Sequence, residues 1–173
     1  MAFLSRLRNL KRPIICAEGY LFEMERRGWL QIGPFVPEVV INDPTAVKQL
    51  HREFVRCGSD VIQAFTYYAH RAKMELVDKG DSVIDINKKA CEIAFQVQKE
   101  FVGVLDPDEL PLVAGGICNS TIYLENNPEN DENIKEQYRQ QVRLFKEYDC
   151  DYVIAETFEY LAEAKLALQV IQV

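Results

Sequence analysis

The stretch INDPTAVKQLHREFVRCGSDVIQAFT, residues 41–66, joins a helical pattern to a strand pattern and so decides the type of fold. Asp43 is a good N-terminal cap, and Pro44 suits the first position of a helix. Gly58 stands where the C-terminal cap of that helix belongs. The apolar run 60–66 follows at once, and its nearly continuous apolar character is typical of a strand buried on both faces. The stretch therefore predicts a helix that leads into a strand of a parallel sheet.

Similar alternation extends over the whole chain. Apolar, strand-like runs occupy residues 13–18, 60–66, 112–118 and 152–156. Helical patterns occupy residues 21–27, 41–58, 85–103, 131–149 and 159–172, and in the last of these Leu161, Leu168 and Ile171 are predicted to face the core. Alternating strands and helices predict a parallel sheet with right-handed crossovers. Two architectures fit, a small open doubly wound sheet or half of an eight-stranded βα barrel, and both place functional loops at the carboxyl ends of the strands.

Composition narrows the class of protein. The chain has 173 residues, 48% hydrophobic and 27% charged, which predicts one domain over residues 1–173. A net charge of −7 argues against nucleic acid as a partner. No apolar run approaches the roughly 20 residues that span a membrane. The basic N-terminus is interpreted as a short amphipathic helix, with a mitochondrial presequence as the less favoured alternative. Five cysteines, odd in number and far apart, favour a reducing, cytoplasmic compartment over a disulfide framework.

Polar residues follow the predicted strands, where a binding site would lie. They are Glu18 and Gly19, Thr66 to Tyr68, Cys118 and Asn119, and Glu156 and Thr157. Glu18 and Glu156 facing one pocket could bind an ammonium group or divide acid–base roles, and the alternative is an ordinary ion pair with a basic loop residue. Tyr67 and Tyr68 could line a cage for a quaternary ammonium, or simply pack in the core.

Other kinds of site have less support. The glycine pair at 115–116 lacks the spacing of a phosphate-binding loop, and close packing of a strand explains it better. Nucleophilic cysteine chemistry has little support, because the sequence places no histidine to activate Cys16 or Cys118. A complete zinc site within this chain is improbable, since it needs three or four ligands in one place.

Several long segments resemble the homocysteine S-methyltransferase family, most closely its betaine–homocysteine S-methyltransferase branch. The segments are GPFVPEVVINDPTAVKQLHREFVRCGSDVIQAFTYYAHRAKM from residue 33, VAGGICNSTIYL from residue 113 and YVIAETFEYLAEA from residue 152. They stand in the family's order and spacing, and the resemblance extends from about residue 4 to 171. It implies a TIM-type (βα)8 barrel of which this chain is the amino-terminal half, about (βα)4, and hence an incomplete domain.

The same resemblance implies a chemistry. Complete members transfer a methyl group to homocysteine and give methionine, with a bound zinc that holds the homocysteine sulfur as a thiolate. The family's zinc-binding cysteines lie in the second half of the barrel, so we expect neither catalytic nor metal-binding residues in this chain. Homocysteine and a methyl donor such as betaine are the implied small-molecule partners.

This chain matches the family's substrate-binding residues at some positions and departs from them at others. By resemblance, the substrate-binding positions are Glu156, Glu18, Gly19, Tyr20, Tyr68, Phe35 and Thr157. Glu156 matches the family's second amino-group ligand, and Tyr20 and Tyr68 match aromatic positions on the donor side. Ala17 stands where the family has an aspartate, and Glu18 replaces a glycine beside it. Phe35 and Thr157 stand where betaine enzymes have tryptophan and tyrosine, which puts betaine as the donor in doubt.

Two interpretations follow from these departures. In the first, the chain is betaine–homocysteine methyltransferase-like and inactive alone. In the second, it is a pseudoenzyme, a non-catalytic structural or protein-interaction module that reuses the half-barrel. Because an open barrel leaves unpaired strand edges and exposed apolar faces, we expect self-association, a protein partner, or a longer polypeptide.

Overall fold

A computed structural model describes residues 4, 12–33, 35–125 and 127–172. Its strands are β1 (Val61–Gln63), β2 (Leu112–Cys118) and β3 (Tyr152–Glu156). Its α-helices are α1 (Tyr20–Arg26), α2 (Val39–Asn42), α3 (Pro44–Arg56), α4 (Arg71–Met74), α5 (Val83–Glu100), α6 (Asp131–Glu147) and α7 (Leu161–Ile171). Short 3-10 turns cover Val36–Glu38, Glu75–Val77, Gly80–Ser82 and Pro128–Asn130. The amphipathic helix predicted at the N-terminus lies almost wholly outside the described residues.

The sheet is parallel, in the order β1-β2-β3. Val61 pairs with Leu112, and Ala114 pairs with Tyr152, so the carboxyl ends of the strands meet at one edge. β1 and β2 are buried along their whole length, as their apolar sequences predict. β3 is only half-buried and Ala155 is exposed, so the expectation that both faces are covered is wrong for this strand. β3 is an outer strand of the described sheet, and few helices cover it.

The predicted first strand, residues 13–18, is reduced to a single bridge between Cys16 and Val61. Two backbone hydrogen bonds secure it, from Asp60 N to Ile15 O at 2.7 Å and from Ala17 N to Val61 O at 3.2 Å. Pairing stops there because the chain turns into α1 through Gly19, whose φ of 75° is readily adopted only by glycine. The segment still lies beside β1, in the place of a strand before it.

The helix boundaries follow local chemistry. Asp43 Oδ1 accepts a hydrogen bond from Ala46 N at 3.0 Å and caps α3, which confirms the predicted start. In α5 the predicted stripe is buried, consisting of Ile86, Ala90, Ile93, Ala94, Val97 and Phe101. The face predicted for the last helix is wrong for two of its three residues, because Leu161 is 72% exposed and Leu168 50%, whereas Ile171 packs against the core as predicted. α7 instead buries Glu163 and Val170, because its other face packs against α6.

The glycine pair in β2 is explained by packing, as predicted. A Cβ on Gly115 would lie 2.4 Å from the Phe145 ring, and one on Gly116 would lie 2.6 Å from Gln63 Nε2. Helix α6 and the side chain of Gln63 therefore approach the two faces of β2 more closely than alanine would allow. In the described part of the chain, no helix is long and apolar enough to cross a bilayer.

Candidate functional site

A cavity of about 250 Å³ opens at the carboxyl ends of the strands. Its lining comes from the turn into α1, from residues 63–67 after β1, and from the end of β3. The lining residues are Glu18, Gly19, Tyr20, Leu21, Phe22, Gln63, Ala64, Phe65, Thr66, Tyr67, Glu156 and Thr157. The fold therefore brings together most of the substrate positions predicted from the sequence.

Glu156 is the best-positioned acid of the cavity. It is the last residue of β3, and its Oε1 accepts a hydrogen bond from Gln63 Nε2 at 2.7 Å. Burial is the main cause that raises its pKa, and the negative charge of Glu18 raises it further, while the bond from Gln63 lowers it. Within the described residues, no hydrogen bond is made to Oε2. A desolvated carboxylate with one fixed and one available oxygen is suited to bind a cation.

Glu18 supplies a second carboxylate to the same cavity. The neighbouring Ala17 is only 1% exposed and belongs to the hydrophobic core, so its side chain is directed away from the cavity. The carboxylate at the end of segment 13–18 is therefore that of Glu18, since residue 17 is an alanine buried in the core. The two acids lie near enough for the charge of Glu18 to affect Glu156, which would favour a bound ammonium between them.

Tyr20 belongs both to the cavity lining and to the hydrophobic core. It lines the cavity, but its side chain is buried, and its hydroxyl lies 2.9 Å from His51 Nδ1. The ring meets Phe54 edge-on with a centroid distance of 4.9 Å. Burial lowers the pKa of His51 to about 3, so this histidine is neutral and the Tyr20–His51 pair holds α1 against α3.

The other predicted aromatic residues, Phe35 and Tyr68, lie outside the cavity lining. Tyr68 has a φ of 63° and stacks on Tyr67 with a centroid distance of 4.1 Å, and Lys73 Nζ lies 4.0 Å from its ring centre. The Tyr68 ring thus already makes a cation–π contact with an ammonium group of the same chain. Thr157, with a φ of 58°, lies at the cavity edge.

The cysteines near the strand ends do not form a metal centre. Cys118 is buried, its Sγ accepts a bond from Tyr68 N at 3.4 Å, and burial raises its pKa to about 12. Cys16 Sγ lies 3.6 Å from the Tyr152 hydroxyl, beside the opposite end of β3 from Glu156. Among the described residues, no three His, Cys, Asp or Glu side chains are grouped to hold a metal ion.

Gln63 was missed by the sequence reasoning, although a signal was present. It is the one strongly polar side chain in the apolar run VIQAF, and such a residue in a buried strand needs a partner. Glu163 was missed too: it is 2% exposed, and its Oε1 accepts bonds from Ser120 N, Ser120 Oγ and Tyr138 Oη. Glu163 fixes the loop after β2 to α7.

Comparison with known proteins assigns the chain to a family. The sequence profile described as homocysteine S-methyltransferase matches residues 16–173. The chain belongs to the homocysteine S-methyltransferase family. The match includes every residue of the cavity lining, from the turn at Glu18 to the end of β3.

Relatives from several vertebrates agree with that assignment. Betaine–homocysteine S-methyltransferase 1 of Sus scrofa is 38% identical over 170 residues, which are 95% of this chain and 57% of that protein. The enzymes of Mus musculus and Danio rerio are 38% and 37% identical, each over 95% of this chain and 39% of the relative. The chain thus spans 39% to 57% of the length of these relatives.

Solved structures agree on the fold. The metallated form of the homocysteine methyltransferase MmuM from Escherichia coli matches with a TM-score of 0.81 at 18% identity, over 99% of this chain and 62% of that one. Its oxidised form gives a TM-score of 0.82 at 17% identity, with the same coverage. The α/β fold with parallel strands is therefore that of a homocysteine methyltransferase.

Proposed function

We propose that this chain carries the homocysteine-binding face of a betaine–homocysteine S-methyltransferase-like protein, in which a methyl group passes to the homocysteine sulfur to give methionine. One observation carries the proposal: Glu18 and Glu156 line a single cavity at the carboxyl ends of parallel strands. Family membership and identity to the betaine enzymes over 95% of the chain support it. They favour this function over a non-catalytic interaction module.

Glu156 is assigned to the ammonium group of homocysteine. Gln63 holds one carboxylate oxygen in place, and the low polarity of the lining strengthens an ion pair made by the other. Glu18 adds a second negative charge to the lining of the same cavity. A bound ammonium group offsets part of the negative charge of the two carboxylates. Because a nearby positive charge favours the ionised form of Glu156, binding should lower the pKa of Glu156.

The architecture proposed for the chain is the amino-terminal half of a (βα)8 barrel. Segment 13–18 and β3 are the two outer members of the described sheet, and each pairs on one side within the described residues. Ile15 is 53% exposed beside the first edge, and Leu161 lies exposed after the second. A second copy, another protein, or further βα units would cover these edges. A cytoplasmic location stays a prediction from the cysteine pattern.

Zinc is proposed for complete members of the family and not for the described residues of this chain. The residues that the structure describes do not fit a zinc ion, because Cys118 is a buried, protonated thiol and no three potential ligand side chains among them lie together. Zinc supplies thiolate activation where it is bound. Here the residues of the chain bind and orient the amino-acid end of homocysteine, and we expect no methionine formation from the chain alone.

Isothermal titration calorimetry with L-homocysteine under reducing conditions tests the assignment. We expect the wild type to bind, and Glu156→Gln to weaken binding by roughly 10- to 100-fold, the value of a charge-assisted hydrogen bond. Glu129→Gln is the matched control, because Glu129 is exposed and distant in sequence from the cavity lining. Equal affinity of the wild type and Glu156→Gln, with both chains folded, would refute the role of Glu156.

A further inference from the structure

A second cavity, of about 450 Å³, lies between α6 and α7 and shares no lining residue with the cavity at the strand ends. Its lining consists of Lys135, Arg139, Val142, Arg143, Lys146, Gln169 and Val170. Four of these seven residues are cations, all from α6, and no described carboxylate is among them. Such a concentration of positive charge stands out in a chain of net charge −7. We call this cavity the basic groove.

The four cations share one face of α6 because of their spacing. They stand at positions 135, 139, 143 and 146, separated by four, four and three residues, and residues so spaced are neighbours on the surface of a helix. At a rise of about 1.5 Å per residue, the row is roughly 16 Å long. Val142 of α6 and Val170 of α7 pack against the core beside it. The groove therefore combines a row of cations with an apolar wall.

The positive charge of the groove is only partly neutralised within the chain. Arg139 Nη1 lies 2.6 Å from Glu132 Oε1 and 3.2 Å from Glu136 Oε2. Arg143 Nη1 lies 3.6 Å from Glu136 Oε1, and Lys135 Nζ comes no nearer than 4.0 Å to Glu132 Oε2. The remaining cation of the row makes no ion pair within the described part of the chain. Four cations therefore share two carboxylates, which leaves the groove an excess of positive charge.

We propose that the basic groove binds an oligophosphate, a small anion that has two or more linked phosphate groups. The planar guanidinium groups of the two arginines match phosphate oxygens in pairs, and the two lysines add a point charge at each end of the row. A single phosphate reaches only part of a row of roughly 16 Å, whereas linked phosphates contact several cations at once. The volume of the groove falls within the range of small-molecule sites.

Glu132 and Glu136 do not exclude such a ligand. Their pairs with the groove cations are open to solvent, with the Glu132 side chain 71% exposed, and exposed pairs contribute at most about 1 kcal/mol each. An oligophosphate concentrates more negative charge on the cations than either carboxylate does, and therefore displaces it at small cost. Acidic residues farther away are screened, since charges more than about 8 Å apart interact weakly at physiological ionic strength. Inorganic oligophosphate and a nucleoside triphosphate share this chemistry, and a nucleoside would contact the apolar wall of Val142 and Val170.

Calorimetric titration of the chain with sodium tripolyphosphate in magnesium-free buffer tests the proposal. We expect saturable binding that weakens as potassium chloride is added. The double substitution Arg143→Gln, Lys146→Gln removes two exposed cations of the row and should weaken binding by at least about 10-fold, while the circular dichroism spectrum stays unchanged. Adenosine triphosphate, titrated in parallel, distinguishes the two sources: tighter binding than tripolyphosphate supports a nucleotide, and weaker binding supports an inorganic chain.

The double substitution Arg56→Gln, Lys99→Gln is the matched control. It also removes one arginine and one lysine from exposed positions, near the ends of α3 and α5 and outside the groove, so it should bind tripolyphosphate as the wild type does. The proposal is overturned if tripolyphosphate does not bind, or if the two double variants bind it equally well. It is also overturned if a poly-glutamate peptide binds the wild type more tightly than both phosphates, because the groove would then fit an acidic protein segment.

Discussion

Substitution of Gly115 by alanine should destabilise the protein through overlap with Phe145. The added Cβ would lie 2.4 Å from ring atoms Cγ and Cδ2, well inside van der Waals contact. Phe145 is 1% exposed and packed in the core, so its ring cannot move without displacing neighbours. Overpacking of this kind costs about 1–3 kcal/mol. For a chain of this length, that is a fall in melting temperature of roughly 2–12 °C.

Urea unfolding, followed by circular dichroism and by the fluorescence of Trp29, measures this loss of stability. Gly80→Ala is the matched control, since the three atoms nearest its new Cβ all belong to the flexible, exposed side chain of Glu75, which can move aside, and we expect less than about 0.5 kcal/mol of change. Phe145→Leu should relieve part of the overlap, so the double variant should be more stable than the two separate losses predict. A Gly115→Ala protein as stable as Gly80→Ala would refute the close approach of α6 to β2.

Three further predictions concern charge. Burial lowers the pKa of His51 to about 3, so below pH 6.5 the unfolded chain binds a proton that the folded chain does not, and this one group should lower the free energy of unfolding by up to about 1.4 kcal/mol per pH unit. Buried His70, whose pKa burial lowers to about 4, adds a slope of the same sign, so in urea titrations at several pH values His51→Gln should reduce the total slope and leave the part due to His70. Glu163→Ala should cost about 2–4 kcal/mol by leaving the Ser120 and Tyr138 donors without their acceptor, against no more than about 0.5 kcal/mol for the exposed Glu129→Ala, and thermal melts would decide. Because the pKa of Glu156 is raised, calorimetry should show homocysteine affinity falling as the pH drops toward that pKa, and a pH-independent affinity across the acid range would contradict it.

The sequence predicted those strands and helices that are marked by a continuous apolar run or by a capping residue. The bounds of β2 and β3 match the apolar runs, and the Asp43 cap and Pro44 place the start of α3. The first strand was predicted to be longer than it is, because apolar character does not reveal that the chain turns at Gly19 and ends the pairing. In α7 the leucines formed a plausible stripe, but packing against α6 selected the face that contains Glu163.

The sequence predicted those residues of the candidate site that lie at the carboxyl end of a strand. Glu18 and Glu156 were placed correctly in one cavity because parallel strands end at the same edge. The hydrogen bond from Gln63 to Glu156 joins residues 93 positions apart, and the bond from Tyr148 to Glu92 joins residues 56 positions apart. Pairings of this kind depend on the register of the sheet and the packing of the helices, which the sequence pattern does not specify.

The most direct test of the central claim compares L-homocysteine with its desamino analogue in calorimetric titrations of the wild-type chain. The two ligands share the thiol and the carboxylate and differ only in the ammonium group assigned to Glu156. The account predicts that the analogue binds at least about 10-fold more weakly, and that the difference disappears in Glu156→Gln. Equal affinities of the wild type for both ligands would contradict it.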